Sequence, residues 1–157
     1  MDVLCGVDFL VLHHTERSID WPAFVRLRHR MRGWEDIGYH FVIGNGLFAQ
    51  PGTLIVGRPE EYMGAHAHGY NRNSLGICLI GNFDRSIPDP AQWKAAIDLL
   101  AQKSVEYDVD LDHVIGHREI PGAGKSCPGF RIDLDIMRQQ VSEAQALYRM
   151  PEAIGFR

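Results

Sequence analysis

Leu75-Gly76-Ile77-Cys78-Leu79-Ile80 is the most apolar strand-like run in the chain. It is too short for a typical helix, and its unbroken apolar character suits a strand buried on both faces. It predicts the central strand of a sheet with helices packed on it. Cys78 reads as a small buried hydrophobe within that strand.

Immediately before this run, Gly64 to Asn73 is a polar loop rich in Gly, His and Asn. Upstream, Val7 to Leu12 is a second run of β formers, ending in His13-His14-Thr15. Gly38 to Ile43 reads as another strand. Leu47 to Gln50 and Thr53 to Val56 flank Pro51-Gly52, which predicts a meander of short strands. Asp112 to Gly116 gives a short strand that delivers His117. Three helices are expected. The first follows an Asp20 cap, with Phe24, Leu27 and Met31 at helical spacing. The second opens at Asp89-Pro90 and carries Trp93, Ile97 and Leu100 on one face. The third follows Asp133 through Met137, Val141 and Leu147. The expectation is an α/β fold: one domain over 1–157, with a central mixed sheet of five to six strands and three main helices. Its core spans about 7–148, and 149–157 forms a tail.

The 157 residues carry a formal charge of −4 and are 45% apolar. A chain of this length folds as one domain without staples. The mild negative charge argues against a nucleic-acid partner, which favours a basic patch. No run reaches the ~20 apolar residues of a membrane span. No basic segment precedes an apolar stretch at the N-terminus, so synthesis in the cytoplasm without a classical signal peptide is expected. Three cysteines, Cys5, Cys78 and Cys127, do not make a disulfide framework.

Cys127 differs from the other two because of its surroundings. His117-Arg-Glu-Ile-Pro-Gly-Ala-Gly-Lys125-Ser-Cys127 places an imidazole, an ammonium and a thiol on a loop rich in Gly and Pro. Such a loop can fold back and bring both ends to one ion. With an imidazole from the end of the first strand, the set suffices for zinc with its fourth position open, the mark of a catalytic rather than a structural site. Neighbouring strand residues point to opposite faces, so only one of His13 and His14 can aim at that ion. Lys125 beside a metal is unfavourable unless negative charge develops there, as it does on an oxyanion. Tyr39 could donate to a carbonyl or relay a proton, or it could be a half-buried core residue. His66, His68, Tyr70, Asn71, Asn73 and Ser74 have the hydrogen-bonding character of a groove for sugar or peptide. A metal pair of His66 and His68 is the weaker reading of that loop. Glu119 either orients a ligand, assists proton transfer or pairs with Arg118.

Taken together, Leu10-Val-Leu-His13-His-Thr, Trp34-Glu-Asp-Ile-Gly-Tyr39-His-Phe, Gly64-Ala-His66 through Asn71-Arg-Asn-Ser74 to Gly81, and Gly116-His117-Arg-Glu to Lys125-Ser-Cys127-Pro are similar to a known family. From about Phe9 to Phe130 the chain resembles the zinc-dependent N-acetylmuramoyl-L-alanine amidases of the type 2 amidase and peptidoglycan-recognition-protein superfamily, above all the phage lysozyme-amidase branch. The resemblance implies a single zinc ion on His13, His117 and Cys127, with Tyr39 and Lys125 in catalysis. It implies His66, Asn71, Asn73 and Ser74 as groove residues, and His14, His40 and Glu119 as supports around the site. The implied substrate is the amide between N-acetylmuramic acid and L-alanine in peptidoglycan. The implied setting is a monomer without a nucleic-acid or membrane partner. It would be cytoplasmic as made and would act on the wall after release if it is a phage-type lysin, or serve in recycling. Relatives with Asp in place of the third ligand carry a Glu on the central strand. Here that strand has no acid, which places the chain with the Tyr/Lys type. The alternative is a silent muropeptide-binding module. A structural zinc domain would need a fourth protein ligand, such as His14.

Overall fold

A computed structural model describes residues 1–149 of the chain, so the expected tail falls, beyond Arg149, outside the described residues. The elements run β1 (Phe9–His14), α1 (Pro22–Met31), β2 (Phe41–Ile43), β3 (Leu54–Val56), β4 (Ser74–Leu79), α2 (Pro90–Glu106), β5 (Val114–Gly116) and α3 (Leu134–Arg149). Short 3-10 turns cover Leu111–His113 and His117–Glu119.

Among the described residues, five strands form one sheet in the order β3-β2-β4-β1-β5. The apolar run lies at its centre, as expected. β4 is parallel to β1 and β2, β5 is parallel to β1, and only the edge strand β3 runs antiparallel. Every residue of β4 is buried. Its Leu75, Ile77 and Leu79 join Leu10 and Leu12 of β1 in the main core under α2 and α3. On the other face, Cys78 and Ile80 pack with Val25 of α1 and with Ile37 and Val42. Truncating one such fully buried Leu to Ala typically costs about 2–5 kcal/mol.

The helix boundaries follow local chemistry. Asp89 caps α2 by accepting from the Ala91 amide at 2.8 Å, and Asp133 caps α3 by accepting from Asp135 and Ile136 at 3.0 Å. Trp93 of α2 donates to Gln140 of α3 at 2.6 Å, tying the two helices together. Toward the end of α3, Leu147 faces solvent.

Three expectations need correction. Asp20 does not cap α1: Trp21 occupies that position without a side-chain cap, and the buried Asp20 carboxylate instead pairs with Arg28. The expected apolar face of α1 points outward, with Phe24 48%, Leu27 58% and Met31 80% exposed. The buried face is Pro22, Val25 and His29, also at helical spacing. The helix takes this rotation because the His29 ring accepts the Gly38 amide at 2.9 Å and Arg28 reaches Asp20. Finally, Leu47 to Gln50 is not a strand. Leu47 and Phe48 are exposed, and Phe48 rests against Trp21 and Phe24.

Candidate metal centre

β1 and β5 are adjacent parallel strands, so their C-terminal ends reach the same edge of the sheet. β1 delivers His13 there, and His117 follows directly after β5. The alternation along β1 separates its two imidazoles. His14 shares the face of Leu10 and Leu12, where its Nδ1 accepts the Phe83 amide at 3.1 Å. His13 emerges on the opposite face, into the groove.

The loop carrying Cys127 is clamped from both sides. The Arg118 amide donates to the Cys127 carbonyl at 2.7 Å, and the Arg118 guanidinium donates to the carbonyls of Gly129 and Ile132 at 2.7 and 2.6 Å. Asp84 accepts from the Ser126 hydroxyl at 2.8 Å and the Phe130 amide at 2.9 Å. So held, the Cys127 thiol lies 3.6 Å from His13 Nδ1 and receives the His14 backbone amide at 3.5 Å. One ligand atom each from His13, His117 and Cys127 lies within 4.8 Å of the others. Among the described residues no fourth His, Cys, Asp or Glu donor joins this group, so a closed structural site is not formed.

The donor chemistry suits a divalent cation. Burial holds His13 and His117 below the usual imidazole range, so both present neutral nitrogen. Burial pushes the Cys127 thiol up to about 12, so without a cation it keeps its proton. A bound metal favours the thiolate and displaces that proton.

A cavity of ≈ 480 Å³ opens over the three donors. Tyr39 lines it, with its ring centroid 5.1 Å from that of His13, and burial raises its phenol so that it stays a proton donor. A second cavity of ≈ 450 Å³ shares Trp34, Ala65, His66, His117 and Lys125 with the first. His117 and Lys125 therefore sit where two compartments of one groove meet. Lys125 is exposed and makes no ion pair among the described residues.

Other expected residues play different parts. Asn71 borders the second cavity, but its carbonyl is occupied by the His66 and Ala67 amides, each at 2.8 Å. Asn73 bonds Asp8 at 2.9 Å, at the far end of β1, and Ser74 is fully buried; neither lines the groove. His68 is exposed in the second cavity, apart from buried His66. His40 is locked in the fold, with Nδ1 accepting the Gly76 amide at 3.0 Å and Nε2 bonded to the Tyr62 carbonyl at 2.9 Å. Glu119 pairs with Arg138 at 3.0 and 3.1 Å rather than with Arg118, and accepts the Gly116 amide at 2.9 Å. It supports the turn after β5 and does not enter the groove. Sequence reasoning missed Arg17 and Arg32, which give the first cavity a cationic wall, Arg28 beside them with its charge matched by Asp20, and Glu16 on the same cavity. Glu16 sits at φ 60, rare for a residue other than glycine. It also missed the two clamps, Arg118 and Asp84.

Burial lowers His13, His14, His29, His40, His66 and His117 below their ordinary range, His29 to about 4. Their unfolded-state values are higher, so the unfolded chain binds more protons as pH falls below about 6.5. The stability these neutral rings contribute is present above that pH and is lost toward the folded-state values. Uptake of only two extra protons on unfolding gives a slope of about 2.7 kcal/mol per pH unit. The melting temperature of the metal-free protein is expected to fall by about 10 °C between pH 6.5 and 5. A calorimetric series over that range checks this, and a flat profile contradicts it.

The family model for N-acetylmuramoyl-L-alanine amidase, Amidase_2, matches residues 5–130. The endolysin of Escherichia phage T7 is 38% identical over 112 residues, covering 68% of each chain. The endolysin of Klebsiella phage KP32 is 36% identical over 111 residues, again 68% of each. Among solved structures, the N-acetylmuramoyl-L-alanine amidase LysC from Clostridium intestinale superposes with a TM-score of 0.78 at 29% identity, covering 87% of this chain and 86% of that one. Drosophila PGRP-LB gives 0.72 at 29%, covering 86% and 82%. The matched region contains both strands that deliver the imidazoles and the clamped loop that supplies the thiol. The chain belongs to the N-acetylmuramoyl-L-alanine amidase family and is a peptidoglycan amidase.

Proposed function

We propose that the chain cleaves the amide between N-acetylmuramic acid and L-alanine with a single zinc ion held by His13, His117 and Cys127, as a lysin acting on the cell wall. The observation that carries this reading is the convergence of those three donor atoms, within 4.8 Å of one another, on the floor of an open groove. Two neutral imidazoles and a thiol are borderline-soft donors of the kind zinc takes. When bound, zinc supplies Lewis-acid polarisation of a carbonyl and of water.

The chain's own residues do the rest. The two compartments meeting at His117 and Lys125 give the sugar side and the peptide side of the bond separate walls, and Arg17 and Arg32 face any acidic portion of the stem peptide. Lys125 holds the negative charge that grows on the carbonyl oxygen as water adds to the carbon. Tyr39, kept protonated by burial, orients the substrate and donates a hydrogen bond; as the C–N bond breaks, the leaving nitrogen takes the proton released by the added water and departs as the L-alanine amine, leaving the lactyl carboxylate. All these groups come from one chain, which suits a monomer. No helix among the described residues is long and apolar enough to cross a membrane. The setting we propose is synthesis in the cytoplasm and release before wall attack.

Digestion of intact peptidoglycan, with and without a chelator and read by mass spectrometry, tests the reading. Release of new L-alanine amino termini that stops with chelator and returns with zinc is expected. Binding to the wall with no such release would make the chain a muropeptide-binding module. Release indifferent to chelator would remove the metal from the proposal.

A further inference from the structure

We propose that His66 is a positioning residue that sets the ring tautomer of His13 and so aims its Nδ1 at the metal. This rests on the reading of His13 as a ligand. The bonds define the direction of every proton. Ser74 has one hydroxyl hydrogen, and it goes to the Tyr70 carbonyl at 2.7 Å. The Ser74 oxygen can then only accept from His66 Nε2, 3.3 Å away. With its hydrogen on Nε2, a neutral His66 offers a lone pair at Nδ1. That atom lies 2.9 Å from His13 Nε2, which must therefore carry the hydrogen of His13. His13 Nδ1 is left with a lone pair, and it is the atom that faces the Cys127 thiol at 3.6 Å. A metal-binding imidazole commonly has its other nitrogen fixed by such a partner. Here the partner is a second imidazole, itself fixed by a hydroxyl and a carbonyl.

The fold holds His66 for this task. Asn71 accepts its backbone amide, and the ring lies in a slot between two glycines. A Cβ on Gly76 would stand 2.5 Å from His66 Cγ, and one on Gly64 2.5 Å from His66 Cδ2. The absent side chain on the central strand is thus what lets the ring reach from Ser74 to His13. His66 and Ser74, expected as groove contacts, become parts of an inward-facing chain that ends on the ligand.

The test uses the full chain labelled with ¹⁵N at histidine, in metal-free form, with long-range proton–nitrogen correlation spectra. The His13 signals are assigned by their loss in His13→Gln. Zinc affinity is measured by competition with a chromophoric chelator. In the wild type, His13 is expected purely as the Nε2–H tautomer. His66→Ala should give a mixture of both tautomers and weaken zinc about 10- to 100-fold. His66→Asn places a carbonyl oxygen close to the lost Nδ1 and should restore most of both. Ser74→Ala, which frees His66 to hold its hydrogen on either nitrogen, should shift both readouts in the same direction by less. If His66→Ala does not fold, Ser74→Ala decides alone. Unchanged tautomer and zinc affinity, with only KM raised, would overturn the proposal and make His66 a groove wall. Absence of zinc binding by the wild type would sink the metal reading, while the tautomer spectra would still judge His66.

Discussion

Cys127→Ala is expected to strip the protein of zinc and of its amidase activity together, with little change to the fold. The two imidazoles that remain are neutral and buried, and neither carries charge to offset a divalent cation. The thiolate is the only anionic donor in the group, so its loss removes both a ligand and the charge that balances the ion. Losing one oxyanion donor typically costs about 10²–10³ in rate. Losing the ion removes carbonyl polarisation and water activation at once, so the fall should exceed about 10³. The main chain at position 127 should stay in place, because Arg118 and Asp84 grip the loop through its backbone and through Ser126, and no bond of theirs passes through the sulfur. Metal analysis, turnover on purified peptidoglycan and the melting temperature of the metal-free protein check the three parts. A variant that retains one zinc per chain and wild-type turnover would dismiss Cys127 as a ligand.

How far the sequence could be read depended on whether a signal was local. The apolar run of β4 was legible because burial on both faces leaves no alternation to interrupt it. The split between His13 and His14 followed from the two-residue period of a strand, and the structure places them on opposite faces. The convergence of His117 and Cys127 was legible from a loop built of Gly and Pro. The rotation of α1 was not. Phe24, Leu27 and Met31 carry more apolar area than Val25 and His29, and pattern alone favours them. What decides is a buried imidazole satisfied by the Gly38 amide and a buried carboxylate matched by Arg28, and neither partner is visible within the helix itself. Leaving either polar group buried without its partner costs about 1–3 kcal/mol or more, comparable to burying an apolar side chain.

The same limit explains the polar loop before β4. The chemistry of His66, Asn71, Asn73 and Ser74 suits sugars and peptides, and by itself it predicts a groove. The fold turns most of that capacity inward: Asn71 onto the backbone, Asn73 onto Asp8, Ser74 onto Tyr70 and His66. Glu119 found Arg138, a residue 19 positions away on α3, rather than its neighbour Arg118, whose guanidinium bonds loop carbonyls instead. Composition identifies which groups can bond. Only the tertiary fold fixes which of them remain free for a ligand.

Lys125→Ala is expected to separate zinc binding from turnover. The ammonium is exposed, lines both compartments and makes no ion pair among the described residues, so its removal leaves no buried partner stranded. Burial is the main cause that lowers His117 and His13, and the Lys125 charge adds to it at both rings. The same field opposes a divalent cation at those donors, so the alanine variant should bind zinc at least as tightly as the wild type. That cost in the resting protein is repaid only when negative charge appears between Lys125 and the metal donors, and in this reaction it appears as the carbonyl oxygen becomes an oxyanion. Turnover should therefore fall about 10²–10³-fold, with KM changed much less. Lys125→Arg keeps the charge but spreads it over a planar fork, and should recover part of the rate. Steady-state kinetics on a soluble muropeptide, with zinc content measured on the same samples, distinguishes the outcomes. Unaltered turnover would leave the oxyanion to some other donor, and loss of zinc would make Lys125 a support for the loop rather than a partner to the reacting bond.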